Sequence, residues 1–415
     1  MFPIWLNGLC IGQTNYSGKV IVKSVLLSNS FIVLYMMKTS IVLIVFIASI
    51  CGESIIAQEN SNSLIDRKNK SKNEIFYNLG QAVRNGGFSM KGYWIWDNSV
   101  IKGDDNKYHL FCSRWPDSIP FHPGWMVASE IVHAVSNVPQ GPYHFSDVVF
   151  KARGAQYWDG SMTHNPSIQK YKGKYYLFYI GSNHPFSEPA SSQLTLSSQW
   201  CIVSRSNKRI GLAVSDSPYG PWIRFDKPIL ETKPNTFYSY LTSNPTPLIQ
   251  EDGSVLLIFK GRGHNTDNSF TKMALGIAYA KTVEGPYTVL NNEQPIFNAE
   301  NQGEAEDPFL WQDERGYHLI FKDQLSKYTG EKGGGVLAHS KDAIHWSIDN
   351  SPKAYSRTVE WDDGIICTQG QMERPFILFE NKKPVYLFFA TMDGPGGFEN
   401  SSKSWSMVIP FKKTK

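Results

Sequence analysis

From about residue 90 onward the chain is a succession of short runs in which apolar and polar residues alternate, each soon broken by Gly, Asp or Asn. A period of two over such lengths predicts strands rather than helices. One pattern recurs five times: a polar residue, usually then proline, then apolar alternation. It opens at Asp97-Asn98-Ser99-Val100, Asn165-Pro166-Ser167-Ile168, Asn244-Pro245-Thr246-Pro247, Asp307-Pro308-Phe309-Leu310 and Arg374-Pro375-Phe376-Ile377. The openings recur at nearly even intervals, the mark of a repeat architecture. An aromatic or apolar run follows each, at residues 107–111, 174–178, 255–259, 317–321 and 385–389. The intervening Asp104-Asp105-Asn106, Lys172-Gly173, Asp252-Gly253, Arg315-Gly316 and Asn381-Lys382 are turn formers. Each pair of runs therefore predicts a β-hairpin. A second signature closes the first four units: Ala134-Val135-Ser136 to Gly141-Pro142-Tyr143, Ala213-Val214-Ser215 to Gly220-Pro221-Trp222, Ala278-Tyr279-Ala280 to Gly285-Pro286-Tyr287, and Ala338-His339-Ser340 to His345-Trp346. About four strands per unit and five units predict an all-β, five-bladed β-propeller. A sandwich lacks this period. The repeats leave room for one domain, residues 75–415.

The N-terminal segment has a different pattern. Residues 37–57 begin with Met37 and Lys38, continue in the apolar run Ile41 to Ile50, and end in small residues at Ala57. This layout predicts a secretory signal peptide with translation starting at Met37, residues 1–36 being an upstream extension. The earlier apolar stretch from Val25 to Tyr35 keeps a signal anchor as the alternative, but the core at Ile41 is too short for a membrane span. Ala48-Ser49-Ile50-Cys51 resembles a lipoprotein box with Ile50 out of pattern, so lipid anchoring to the outer membrane is the alternative to a free secreted or periplasmic protein. Residues 1–57 are thus expected to be leader, and the polar residues 58–74 a tether.

Composition excludes several classes. Apolar residues make 41% of the chain, charged residues 19% and aromatics 13%. Those proportions exclude disordered, collagen-like and coiled-coil proteins. The net charge is +4; without leader residues Lys19, Lys23, Lys38 and Glu53 it is 4 − 2 = +2. Such a charge is too small to suggest nucleic acid. Cys112, Cys201 and Cys367 remain after the leader, with no CxxC spacing, so neither a zinc site nor a disulfide framework is expected. No GxGxxG, P-loop, HExxH or GxSxG motif is present.

In a propeller the first strand of each blade lines the central channel, so Asp97, Asn165, Asn244, Asp307 and Arg374 converge, with Glu306 and Glu373 one residue earlier. Strict alternation would turn neighbours to opposite faces. Capping of strand ends is the alternative role of this ring. Two carboxylates facing one pocket, one protonated and one ionised, are what glycoside hydrolysis requires. With these residues the sequence resembles the five-bladed propeller glycoside hydrolases, family 43 above all, with features of families 117 and 130. Asp97-Asn98-Ser99-Val100 is similar to the Asp-Pro-Ser-Val bearing the family 43 general base, and Glu306-Asp307-Pro308 to the Glu-x-Pro bearing the general acid. The match departs at Asn98, at Asn165 and Asn244 where a pKa-tuning carboxylate is expected, in the fourth-repeat position of Glu306, and at Gly80-Gln81-Ala82-Val83-Arg84, which lacks the family 117 signature.

The resemblance implies an inverting hydrolase acting on a terminal glycosidic bond of an oligo- or polysaccharide, Asp97 as base and Glu306 as acid. Asp159, His164, Asn165, Asn244, Asp307, Glu373 and Arg374 would bind sugar or tune the pair; Arg114 and His122 would add anion, hydroxyl and stacking contacts. Arg114, Lys260, Arg262 and Lys322 follow the hairpins and are expected toward the opposite channel mouth. No cofactor or metal ligand set is demanded, although the resemblance leaves room for a calcium ion in the channel. A glycoside phosphorylase, a uronate lyase and a non-catalytic carbohydrate-binding propeller are the competing functions.

Overall fold

A computed structural model describes residues 11–13, 22–27, 30–37, 40–44, 74–297 and 304–412. The chain divides into two compact units, residues 1–70 and 71–415. In the first, Ile11–Gln13, Val22–Leu27, Ser30–Met37 and Ser40–Ile44 form an antiparallel sheet in sequence order. The expected cleavage region, the Cys51 box and the tether lie outside the described residues. Among the described residues no helix is long and apolar enough to cross a membrane.

The second unit is a five-bladed β-propeller. Blades I to IV are four-stranded antiparallel sheets. Their inner strands are Tyr93–Lys102, Met162–Tyr171, Leu241–Ile249 and Ala305–Asp313. Blade V has three strands, with Gln371–Glu380 innermost. Its outer edge is completed from the other end of the chain: Gly80 and Val83 donate backbone hydrogen bonds to Pro410 and Val408, and Phe88 exchanges two with Ser406. The ring is therefore closed by the segment 79–88, ahead of the first repeat, which leaves the last strand no open edge.

All five hairpins form. Tyr171 to Lys174 and Glu380 to Lys383 turn through two residues at positive φ, Lys172-Gly173 and Asn381-Lys382. The twist of such turns matches the strands they join. The Gly-Pro-aromatic signature has a local reason: the Tyr143 and Tyr287 hydroxyls reach back to the carbonyls of Pro139 and Val283, each at 2.7 Å. The aromatic strands account for much of the core. Phe309 meets Phe376 across blades IV and V at 5.0 Å between ring centres, Tyr355 meets Phe389 at 4.6 Å, and Phe111 meets Trp222 across blades I and II at 5.7 Å. Cys112, Cys201 and Cys367 are free thiols.

Every inner strand breaks at the same place. Between Trp96 and Ser99, His164 and Ser167, Ser243 and Thr246, Glu306 and Phe309, and Glu373 and Phe376, the inner strand carries one residue more than its partner. These are β-bulges. The bulged residue has positive φ each time: 63° at Asp97, 52° at Asn165, 50° at Asn244, 53° at Asp307 and 54° at Arg374. Asn and Asp tolerate this region better than most residues, which explains four of the five identities. The proline that follows in blades II to V lacks the N–H that a continuous ladder would use, so a bulge is where it fits. Blade I has Asn98 instead. Its amide donates to the Arg374 carbonyl at 2.8 Å and accepts from the Ser406 hydroxyl at 3.1 Å, tying the first blade to the fifth.

Candidate active site

The bulges defeat strict alternation, and consecutive residues face the axis together. The bulged side chains form a belt through neighbouring blades. The Asn165 amide donates to Asp97 Oδ1 at 2.6 Å; Arg374 Nε lies 3.1 Å from the same oxygen; Arg374 Nη1 lies 3.5 Å from Asp307 Oδ1; and the Asn244 amide donates to Asp307 at 2.5 Å. Along these contacts the blades run II, I, V, IV, III. The residues one position earlier, Trp96, His164, Glu306 and Glu373, turn into a cavity of about 560 Å³ on the axis. Asn165, Asn244, Asp307 and Arg374 line it as well.

A second device repeats from blade to blade. Lys260 pairs across its hairpin with Ser243, and Lys322 with Glu306, so both lie beside a bulge. Lys260 of blade III donates to Glu306 of blade IV, and Lys322 of blade IV to Glu373 of blade V. Both lysines line the cavity. The second strand of a hairpin runs back toward the start of the first, so its end cannot lie at the opposite mouth; the expectation from chain order is corrected here. In blade I the equivalent residue is Ser113, whose hydroxyl donates to Asp97 at 2.6 Å.

The two glutamates occupy equivalent positions in adjacent blades but opposite electrostatic settings. Burial alone would raise the pKa of Glu306; Lys260, Lys322 and Lys208 outweigh it, and Lys260 and Gln324 donate to its two oxygens, holding it at about 2. At Glu373 burial wins: Lys322 opposes it, but Asp307 and Glu306 add to it, and the carboxyl is pushed up to about 7. Asp97 is the reverse of what an exposed base would be. It is fully buried and absent from the cavity lining, and both its oxygens are engaged by Ser113, Asn165 and Arg374. Burial would raise its pKa, but His164 and Arg374 hold it low.

One wall is aromatic. Trp96, Phe121, Trp125 and Phe398 line the cavity, with Phe121 stacked on Phe398 at 5.2 Å and Trp125 on His164 at 4.7 Å. His122 lines it too; burial, with Arg205 and Lys208 nearby, lowers its pKa to about 4. Its Nδ1 accepts from the Trp125 indole at 3.0 Å. The ring proton of the neutral imidazole therefore sits on Nε2. His164 is likewise lowered to about 4, by burial first, and contacts Ser129 at 2.8 Å and Asp97 at 3.4 Å.

Two expected residues lie elsewhere. Arg114 is bound to Glu130 at 2.7 Å and stacked over Tyr93, on the strand face opposite Ser113. Asp159 is buried between Arg153 at 2.6 Å, Tyr179 at 2.8 Å and Arg224 at 3.3 Å, where it ties a loop to blade II. Neither lines the cavity. Sequence reasoning missed Trp96 and Gln324 and misplaced Lys260 and Lys322; the lysines' position opposite the bulge was readable from hairpin pairing alone. The channel does not fit a calcium ion: Glu306 and Glu373 are taken by lysines, Asp97 by Arg374 and Asp307 by Arg374 and Asn244, and among the described residues no three His, Cys, Asp or Glu side chains are grouped to hold a metal.

No protein-family model matches the chain, and no curated protein matches it. Solved structures do match. Zg3597, a family 117 glycoside hydrolase of the marine bacterium Zobellia galactanivorans, is similar at a TM-score of 0.58 and 16% identity, over 82% of this chain and 91% of that one. BT0996, in a complex with RGII, is similar at 0.58 and 16%, over 86% and 96%. CoXyl43, a family 43 β-xylosidase/α-arabinofuranosidase from a compost microbial metagenome in complex with xylotriose, is similar at 0.51 and 16%, over 78% and 93%. At such identity the likeness is one of fold: the chain has the five-bladed propeller of the family 117 and family 43 glycoside hydrolases.

Proposed function

We propose that this chain is a glycoside hydrolase cleaving a terminal glycosidic bond of an oligo- or polysaccharide in the axial cavity, with Glu373 as general acid and Glu306 as the ionised partner. One observation carries the reading: two carboxylates from equivalent positions of adjacent blades face one cavity, and their surroundings drive their pKa values apart, to about 7 and about 2. A protonated carboxyl delivers its proton to the departing oxygen, while an ionised one activates water or attacks the anomeric carbon. The aromatic wall offers faces on which a sugar ring packs. Asp97 is a positioning residue in this reading: it holds Arg374 and Asn165 in the belt. The family 43 resemblance points to inversion, and proton NMR of the first-formed anomer tests it.

Activity on a panel of plant and algal oligosaccharides, followed by product chromatography for wild type, Glu373→Gln, Glu306→Gln and Asp97→Asn, tests the assignment. Loss of activity in both glutamate variants is expected. Full activity in either one overturns it. A second reading has an observation of its own: Lys260, Lys322 and Arg374 converge beside Glu306 and Asp307, as a phosphate-using phosphorylase would need. Turnover that appears only with inorganic phosphate would establish it. The layout of residues 37–57 supports export to the periplasm or medium, and N-terminal sequencing of the exported protein is the check.

A further inference from the structure

Five cations line the axial cavity, and three are answered by carboxylates: Lys260 by Glu306, Lys322 by Glu373, and Arg374 by Asp97 and Asp307. Lys332 and Arg357 are not. Among the described residues neither is in an ion pair. The half-buried Arg357 guanidinium makes one hydrogen bond, from Nη1 to the Gly370 carbonyl at 3.0 Å, and its buried Nε has no acceptor. The carboxylate of Glu331 is occupied by the Arg357 backbone N–H at 2.8 Å, the Ser356 hydroxyl at 3.0 Å and Lys353 at 3.6 Å. Gly333 leaves room for Arg357 to approach Lys322: a Cβ there would lie 3.2 Å from Arg357 Cδ and 3.7 Å from Lys322 Cε. Arg374 Nη1, in a side chain only 8% exposed, also lacks a hydrogen-bond acceptor.

We propose that Arg357 and Lys332 form an anion subsite for a carboxylate or sulfate ester carried by the sugar, so that the substrate class is acidic rather than neutral carbohydrate. This rests on reading the cavity as a carbohydrate site. A planar guanidinium with free donors matches the two oxygens of a carboxylate or sulfate, and a neighbouring ammonium adds charge. The other three cations of the cavity lining each have a carboxyl partner, so the two without one lie at this wall.

Isothermal titration calorimetry of the full chain with galacturonate, glucuronate and galactose 6-sulfate against galactose and glucose tests the subsite without needing turnover. The acidic sugars should bind at least about tenfold tighter than the neutral ones, and Arg357→Gln should erase most of that preference. Lys332→Gln, at an exposed position, should reduce it with the melting temperature unchanged, and Arg357→Lys should restore part. A preference for uronates alone assigns the carboxylate, and one for the sulfated sugar alone the sulfate ester. Equal affinity for acidic and neutral sugars, or a preference unaltered in both Gln variants, overturns the proposal. The same titrations in Glu373→Gln separate the two claims: full cleavage by that variant with the charge preference intact sinks the catalytic assignment and leaves the subsite, and the opposite pairing does the reverse.

Discussion

In the proposed reading Glu373 concentrates the chemistry in one side chain. Its carboxyl must be protonated to act, so kcat/KM should fall as pH rises through about 7, while Glu306, held near 2, places no acidic limb within the usual range. Glu373→Gln should cost about 10²–10⁴ in kcat/KM and remove the alkaline limb together with the activity. Lys322→Met is the sharper test. The lysine lowers the pKa of Glu373. Its loss should therefore move the alkaline limb upward. A pH–rate profile that stays in place, or moves down, would sink the pairing. The sequence pointed to Glu306 and Glu373 because each precedes a recurring motif, and it gave the acid's role to Glu306; the proposed reading moves that role to Glu373. Which carboxyl keeps its proton depends on how many cations reach it, and Lys260 and Lys322 come from other hairpins.

At the scale of the element the bulge is the unit that matters. It converts a strand, which would show the cavity every second residue, into one that presents two in succession. Asn244 combines a φ of 50° with an amide given to Asp307. Asn244→Ala should therefore lose the hydrogen bond and also force alanine into the left-handed region, about 2–4 kcal/mol together. Asn244→Gly relieves the backbone part and should cost less. Chemical denaturation of the two variants orders them, and equal losses would show that the backbone strain is absent. The repeated Asn-Pro and Asp-Pro pairs were legible as strand starts, but not as bulges. The one-residue register shift shows only when the second strand is laid beside the first.

At the scale of the molecule the ring closes through residues 79–88, which belong to no repeat in the sequence. Removing the chain through Phe88 strips blade V of its outer strand and should lower the melting temperature by on the order of 10 °C or abolish the cooperative transition. Truncation before residue 74 should do neither. The buried histidines set the acid side of stability. His122 and His164 are held near 4 against an ordinary 6.5, and His109 and His318 are also lowered. The unfolded chain takes up these protons first, so stability should be lost as pH falls from about 6.5 toward 4. Glu373, with its raised pKa, titrates in the opposite sense between about 4.5 and 7, so the melting curves are best compared in Glu373→Gln. A melting temperature flat across that window would contradict the burial of these rings.

Blade number, hairpin positions and the convergence of Asp97, Asn165, Asn244, Asp307 and Arg374 follow from the chain alone. They depend on local periodicity, turn formers and a repeat, all of which are written in order along the sequence. Tertiary structure decided what those five residues do: they chiefly bind one another, and the residues just before them face the cavity. It also excluded Arg114 and Asp159, which found partners on other faces, and brought in Lys260 and Lys322. The physical reason is common to all of these. Charge pairing and burial are set by distances between blades, and no local pattern records which side chain of one blade reaches the carboxylate of the next.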